Sequence, residues 1–170
     1  MKKAYRFAAL ALLAIVAIPA FAQETEPDPA VMAAKEETAV VYDLGRFFGY
    51  VWRLQEEYKN LALDRNQMTE FYEVMASVKS MSRVEADWAE EQLEYLELDL
   101  LRPAQLMQVD MFALERDESR TAGTGTGPGA TGAGGTGSGA ILSYINGGPF
   151  NPIVDDTKSI GQDFTSLLSF

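Results

Sequence analysis

The chain has 170 residues, contains neither histidine nor cysteine, and carries a formal net charge of −11. Without these two residue types it cannot form disulfides, histidine-dependent catalytic triads, cysteine nucleophiles or the usual zinc sites. Its acidity disfavours binding to nucleic acid and to anionic lipid. We therefore expect no nucleic-acid partner, no metal, no cofactor and no enzymatic activity; an enzyme that relies on carboxylates is the remaining alternative.

The first 22 residues have the three parts of a secretory signal peptide. A basic start precedes an uncharged apolar run, Phe7–Ile18, and Ala20–Ala22 offers small residues at the cleavage site. We predict a signal peptide over residues 1–22, with Gln23 as the mature start; an uncleaved N-terminal anchor is the alternative. Cleavage removes three basic residues and no acidic one, which takes the formal charge from −11 to −14. The mature protein is then expected in the periplasm or outside a bacterial cell, without a membrane span.

A helical stripe follows a polar leader. Residues 23–37 contain two prolines and no sustained period, so we predict a mostly disordered leader there; an alternative for its end is that it joins the first helix. The first helix is predicted from Thr38, a suitable N-cap, to about Asn60. Gly45 and Gly49 lie one turn apart inside it, and we interpret them as points where another helix approaches closely, since each costs about 1 kcal/mol against alanine.

Aromatic and methionine side chains of the first two helices are more numerous than one buried stripe requires. They either supply the bulk of a thin core or form an exposed apolar patch for a client protein or a second copy of the chain. As candidate protein-binding residues we take Phe47, Phe48, Tyr50, Trp52, Met68, Phe71, Tyr72 and Met75.

The pentad Leu63-Asp64-Arg65-Asn66-Gln67 marks the start of the second helix. Asp64 and Gln67 have the spacing of a capping box, in which the carboxylate accepts from the backbone N–H of Gln67 and the glutamine side chain reaches back. Leu63 occupies the position of a hydrophobic staple. We predict that this helix ends near Ser80.

A second capping box is predicted over Ser82–Glu85, at the start of a third helix over about Arg83–Leu100. This helix carries seven acidic residues and no basic one between Val84 and Leu101. We interpret the acids as a solvated face; a weak surface for cations or for a basic partner is the alternative. Acids near a helix C-terminus oppose the helix dipole, which favours a break before Arg102.

The second pentad, Leu101-Arg102-Pro103-Ala104-Gln105, comes 38 positions after the first. Pro103 sits where proline is best tolerated, in the first turn of a fourth helix that reaches about Arg116. Arg102 is a poor N-cap, so this helix start is less well specified than the first. The structural motif therefore consists of Leu63, Asp64, Gln67, Leu101, Pro103 and Gln105.

The composition changes abruptly near residue 119. Residues 119–139 are predicted to be a flexible linker of glycine, threonine, alanine and serine, and residues 140–170 a C-terminal tail. Asp155–Thr157 can cap a short last helix in this tail. We favour docking of the tail onto the helical domain; the alternative is that the end of the chain, Ser169–Phe170, is a carboxylate ligand for a partner groove.

The two pentads resemble degenerate copies of the Leu-Thr-x-x-Gln motif of the Spy/CpxP-like periplasmic proteins. The second, extended to Asp110, is also similar to a Leu-Thr-Pro-x-Gln-Leu-x-x-Ile-Asp pattern of small exported bacterial proteins that have a glycine-rich stretch and an Asn-Pro tail, here Asn151-Pro152. The resemblance covers about a third of the chain. It implies a helical cradle that binds unfolded clients or damps envelope-stress signalling. Asp64 and Arg102 stand in place of the two motif threonines, and the Spy-like proteins have a basic concave surface whereas this chain is acidic.

Together these features predict a mainly α fold, a small antiparallel helical hairpin or bundle of about four helices over residues 38–118. The expected function is a non-enzymatic, exported protein-binding domain, chaperone-like or an envelope-stress adaptor. The alternative is a self-associating structural component of the envelope or surface, with the glycine-rich segment as spacer. The partner is thus a protein client or a second copy of the chain.

Overall fold

The protein is mainly α-helical, as the sequence predicts. A computed structural model describes residues 28–122 and 138–169, and these ranges contain no β-strand beyond one isolated bridge. The predicted signal peptide and most of the predicted linker lie outside the described residues. The helices are α1 (Pro29–Glu37), α2 (Ala39–Glu57), α3 (Arg65–Ser80), α4 (Ala86–Glu94), a π-helical segment (Tyr95–Leu100), α5 (Pro103–Ala122), α6 (Ser138–Ile145), a 3-10 turn (Pro152–Val154) and α7 (Ser159–Leu168).

Residues 29–37 of the predicted leader form α1, so the end of the leader joins the first predicted helix and is more extensively helical than a mostly disordered segment would be. Asp28 caps this helix by accepting a hydrogen bond from the N–H of Ala30 at 2.9 Å, and Pro29 occupies its first position. Thr38 occupies the N-cap position of α2, as predicted, but makes no side-chain cap bond; its buried hydroxyl donates instead to the carbonyl of Ala34 at 2.7 Å and links the two helices. Residues 23–27 lie outside the described residues.

The central helix of the bundle is α2, which packs against α4, α5 and α7. Its two glycines face α7: a Cβ on Gly45 would lie 2.4 Å from Cγ2 of Ile160, and one on Gly49 would lie 2.8 Å from a carboxylate oxygen of Asp163. The interpretation of these glycines as points of close helix approach is therefore confirmed. The approaching helix belongs to the C-terminal tail.

The start of α4 differs from the sequence prediction. The second capping box does not form, and α4 begins at Ala86 with Glu85 as an N-cap that makes no side-chain hydrogen bond. Backbone pairing with the tail explains the difference, because the N–H of Val84 donates to the carbonyl of Phe150 at 2.8 Å and the N–H of Phe150 donates to Ser82 at 2.9 Å. These bonds hold Ser82 out of the helix.

The end of the helical run that begins with α4 and the end of α5 compare differently with the predictions. The helical run from α4 breaks before Arg102, as predicted, and does so through a π-helical turn closed by a 3.1 Å bond from the N–H of Leu101 to the carbonyl of Leu96. By contrast, α5 continues past Arg116 to Ala122, so the predicted linker boundary at residue 119 was wrong. The part of the predicted linker at 123–137 lies outside the described residues.

The C-terminal tail docks onto the helical bundle, which confirms the favoured prediction. The amide Nδ2 of Asn151 donates to the carbonyls of Val78 at 2.8 Å and Met81 at 2.9 Å, and so caps the C-terminal end of α3. On α7, Phe164 packs against Phe48 with ring centroids 5.4 Å apart. The predicted helical domain and tail therefore share one hydrophobic core. The alternative role of the chain end as a ligand concerns Phe170, which lies outside the described residues.

Candidate functional site

The two Leu-x-x-x-Gln pentads meet in the core. Gln67 and Gln105 are both buried, and Nε2 of Gln67 donates to Oε1 of Gln105 at 2.8 Å. The reverse contact, from Nε2 of Gln105 to Oε1 of Gln67, is 3.2 Å. Leu63 and Leu101, the first residues of the two pentads, are also buried. The motif thus joins the starts of α3 and α5 side by side.

Gln67 and Gln105 also make matching hydrogen bonds to the backbone near both pentads. Oε1 of Gln67 accepts from the backbone N–H of Asp64 at 3.0 Å, and Oε1 of Gln105 accepts from that of Arg102 at 2.8 Å. Nε2 of Gln67 donates to the carbonyl of Leu100 at 2.7 Å, and Nε2 of Gln105 donates to that of Leu61 at 3.0 Å. Each buried amide is therefore satisfied within the protein, and the pair has a structural role.

The capping box at Asp64 is confirmed. At the start of α5 only half of the equivalent arrangement forms, since Gln105 accepts from the N–H of Arg102 but the Arg102 side chain caps no N–H group. The Asp64 carboxylate accepts from the N–H groups of Asn66 and Gln67 at 2.9 and 3.0 Å. The Arg102 side chain makes no cap; its guanidinium instead pairs with the Asp64 carboxylate at the surface. The pKa of Asp64 is lowered chiefly by the N–H of Gln67, with Asn66 and Arg102 adding to the effect. Asp64 and Arg102 thus form an ion pair that links the starts of α3 and α5.

Four of the eight candidate protein-binding residues lie in the core, so of the two interpretations that the sequence left open, core bulk is the correct one for them. Phe47, Phe48, Phe71 and Met75 are each at most 3% exposed. The physical reason is the docked tail, since α7 packs on α2 and the 3-10 turn of the tail packs on both α2 and α3. Their packing is that of a core, with the rings of Phe48 and Phe71 edge to face at 5.5 Å.

The other four candidates are half-buried at the rim of this core. Nε2 of Gln55 lies 3.2 Å from Sδ of Met68, and the hydroxyl of Tyr72 donates to the carbonyl of Leu167 at 3.4 Å. Tyr50 and Trp52 line a surface cavity of about 410 Å³ between α2, α5 and α7. None of the four presents a fully open apolar face to a partner.

A second cavity, of about 350 Å³, lies between α2, the π-helical segment and α5. Burial raises the pKa of the Glu97 carboxyl here, and the nearby carboxylates of Asp110 and Asp43 raise it further. Two arginines, Arg46 and Arg116, face these acids. The cavity is lined by Asp43, Arg46, Phe47, Tyr50, Leu93, Glu97, Val109, Asp110, Ala113, Arg116 and Asp117.

An exposed apolar face on α5 was missed by the sequence analysis. Met107 is 66% exposed, Met111 49% and Leu114 58%, so these large side chains face solvent. The opposite side of α5 packs on α2 through buried Val109 and Phe112. The signal that was missed is a second apolar stripe. One stripe of α5 packs in the core, and the other, with residues at steps of four and three, faces solvent.

Neither a metal centre nor a membrane segment is found in the residues that the structure covers. Within residues 28–122 and 138–169, no three acidic side chains are placed to hold one metal ion. No helix in these ranges has both the length and the apolar character needed to cross a bilayer.

Comparison of the chain with family models, with curated proteins and with solved structures found no significant match. The resemblance of the two pentads to the Spy/CpxP-like motif therefore stays a prediction.

Proposed function

We propose that this chain is an exported, non-enzymatic helical protein that binds other proteins through the exposed apolar face of α5. The α5 face is defined by Ala104, Met107, Met111 and Leu114. The signal-like N-terminus supports export, and the resemblance of the pentads supports a chaperone-like or stress-adaptor role in the envelope. The single observation that carries the binding role is the exposure of three large apolar side chains in a row on one helix.

The α5 face is suited to binding because the helix beneath it is held in place from within. The glutamine pair fixes the start of α5 against α3, and Arg53 of α2 donates to the Glu115 carboxylate at 2.7 Å. A partner that covers Met107 and Met111 therefore meets a preformed surface, which limits the entropy lost on binding. Methionine side chains also adapt to partners of different shape.

The test is suppression of aggregation of a chemically denatured model enzyme, followed by light scattering. We expect residues 23–170 to suppress aggregation, and the triple variant Met107→Gln, Met111→Gln, Leu114→Gln to need about tenfold more protein for the same effect, because it loses most of the apolar area of the face. Leu98→Gln is the matched control, since Leu98 is 66% exposed but lies on the π-helical segment. Undiminished aggregation at several-fold molar excess of wild-type protein would refute the chaperone-like role.

The second candidate is a self-associating structural component of the envelope, since the exposed apolar side chains of the α5 face can also contact a second copy of the chain. Sedimentation of the same samples separates the two. Concentration-dependent assembly that the triple variant loses would support the second candidate. A monomer that still suppresses aggregation would support the first.

A further inference from the structure

The α5 face has the spacing of a coiled-coil seam. Ala104, Met107, Met111 and Leu114 follow one another at steps of three, four and three residues, which are the a and d positions of a heptad. All four are exposed, and the pattern spans about three turns of a helix that begins at Pro103 and runs to Ala122. Such a seam fits the apolar stripe of one further helix.

Acidic residues flank the α5 face. By helical geometry Asp110 and Asp117 border one side of the seam, Gln108 and Glu115 border the other, and Glu118 occupies the next position of the seam itself. The four acidic side chains are exposed, and that of Glu115 pairs with Arg53. The only basic residue between Pro103 and Ser119 is Arg116, which is half-buried and lines the two cavities beside α2. The field that a docking helix meets is therefore negative.

This charge pattern argues against a second copy of the chain as the occupant. Two copies joined through the α5 face would place acidic flanks opposite acidic flanks, and each chain already carries a formal charge of −11.

We propose that the α5 face docks a basic amphipathic helix of another protein, with apolar residues at its a and d positions and lysine or arginine at the flanking positions. The inference rests on the proposed function and names the chemistry of the partner. Apolar contact with Met107, Met111 and Leu114 supplies affinity. Complementary charge at the flanks sets the orientation and rejects acidic helices.

The experiment uses residues 23–170 and three synthetic peptides three heptads long, with binding followed by fluorescence anisotropy. The first has leucine at a and d and lysine at e and g. The second has glutamate in place of each lysine, and the third has the composition of the first in scrambled order. We expect the first peptide to bind about tenfold or more tightly than either other peptide, and its affinity to fall with added salt.

Substitutions on the protein test whether the lysine peptide binds to the α5 face. Met107→Gln with Met111→Gln should weaken binding of the lysine peptide about tenfold, whereas Leu98→Gln should leave it unchanged. Equal binding of the scrambled or the glutamate peptide would overturn the inference, as would unchanged binding by the double variant. The comparison of peptides uses wild-type protein, so it decides the question even if the double variant does not fold.

Failure of this inference is distinguishable from failure of the proposed function. If the wild-type protein suppresses aggregation and the triple variant does not, but no lysine peptide binds, the α5 face binds proteins of another chemistry and only the basic-helix inference is refuted. If aggregation is not suppressed and no peptide binds, both are refuted.

Discussion

Gln67 and Gln105 are polar side chains inside an otherwise apolar core, and their arrangement explains why glutamine is suited to both positions. A buried amide is costly unless its donor and acceptor groups are used. Each glutamine uses Oε1 for the N–H at its own helix start and Nε2 for a carbonyl near the other pentad. A shorter or charged side chain would leave one of these groups without a partner.

Replacement of Gln105 by alanine should lower the free energy of unfolding by about 2 kcal/mol or more, because Gln67 and the N–H of Arg102 both lose a partner. Chemical denaturation monitored by circular dichroism measures the change. Gln108→Ala is the matched control, as Gln108 lies on the same helix at the half-exposed surface. Equal unfolding midpoints for the two variants would show that the glutamine pair does not stabilise the fold.

The capping box at Asp64 was predictable because all its partners lie within four residues of one another. The pairing of Gln67 with Gln105 was not predicted, although the equal spacing of the two pentads contained the signal. Local spacing specifies which groups a helix start exposes, but it does not say which distant segment meets them. That second step depends on how α3 and α5 pack together.

At the scale of elements, a local signal failed where a distant segment competed with it. Ser82–Glu85 has the residues of a capping box, but Ser82 and Val84 form backbone bonds with Phe150 from the tail instead. On α5, one helix carries two apolar faces, and the sequence does not say which of them is buried. Packing on α2 selects Val109 and Phe112 and leaves the α5 face to solvent.

The contact between α7 and the segment before it can be tested at Gly161. A Cβ at this position would lie 2.1 Å from the carbonyl oxygen of Asp155, and the backbone cannot yield as a flexible side chain can. Gly161→Ala should therefore destabilise the protein by about 2 kcal/mol or more, within the usual range for overpacking. Thermal unfolding measures the effect as a lowered Tm.

Gly139→Ala is the control for Gly161→Ala, because Gly139 also lies in the first turn of a helix but a Cβ there would meet nothing within 4 Å. Its Tm should be unchanged or slightly raised, since alanine lowers the entropy of the unfolded chain. If both alanine variants unfold at the wild-type temperature, the approach of Asp155 to α7 is not a constraint on the fold.

At the scale of the whole molecule, the composition break near residue 119 does not mark the edge of the hydrophobic core. The sequence predicts that the tail docks on the helical domain, and Ile141, Ile153 and Phe164 of the tail belong to the same core as α2. The predicted helices over 38–118 carried too many aromatic residues for their own core, and four of the candidate binding residues are buried for this reason. Burial depends on contacts between distant parts of the chain, which composition does not report.

Removal of the tail should therefore abolish the cooperative fold of the remaining helices. A chain ending at Ala122 loses the three buried α7 side chains Ile160, Phe164 and Leu167, each worth about 1.5–3 kcal/mol, against a total stability of about 5–15 kcal/mol for a small domain. It also exposes Phe48, which packs against Phe164, and it removes the cap that Asn151 provides for α3. We expect strong binding of a hydrophobic dye and a shallow unfolding curve, and we expect a peptide of residues 138–170 added in trans to restore cooperative unfolding. A truncated chain with the wild-type midpoint and no dye binding would mean that the tail rests on a core that is complete without it.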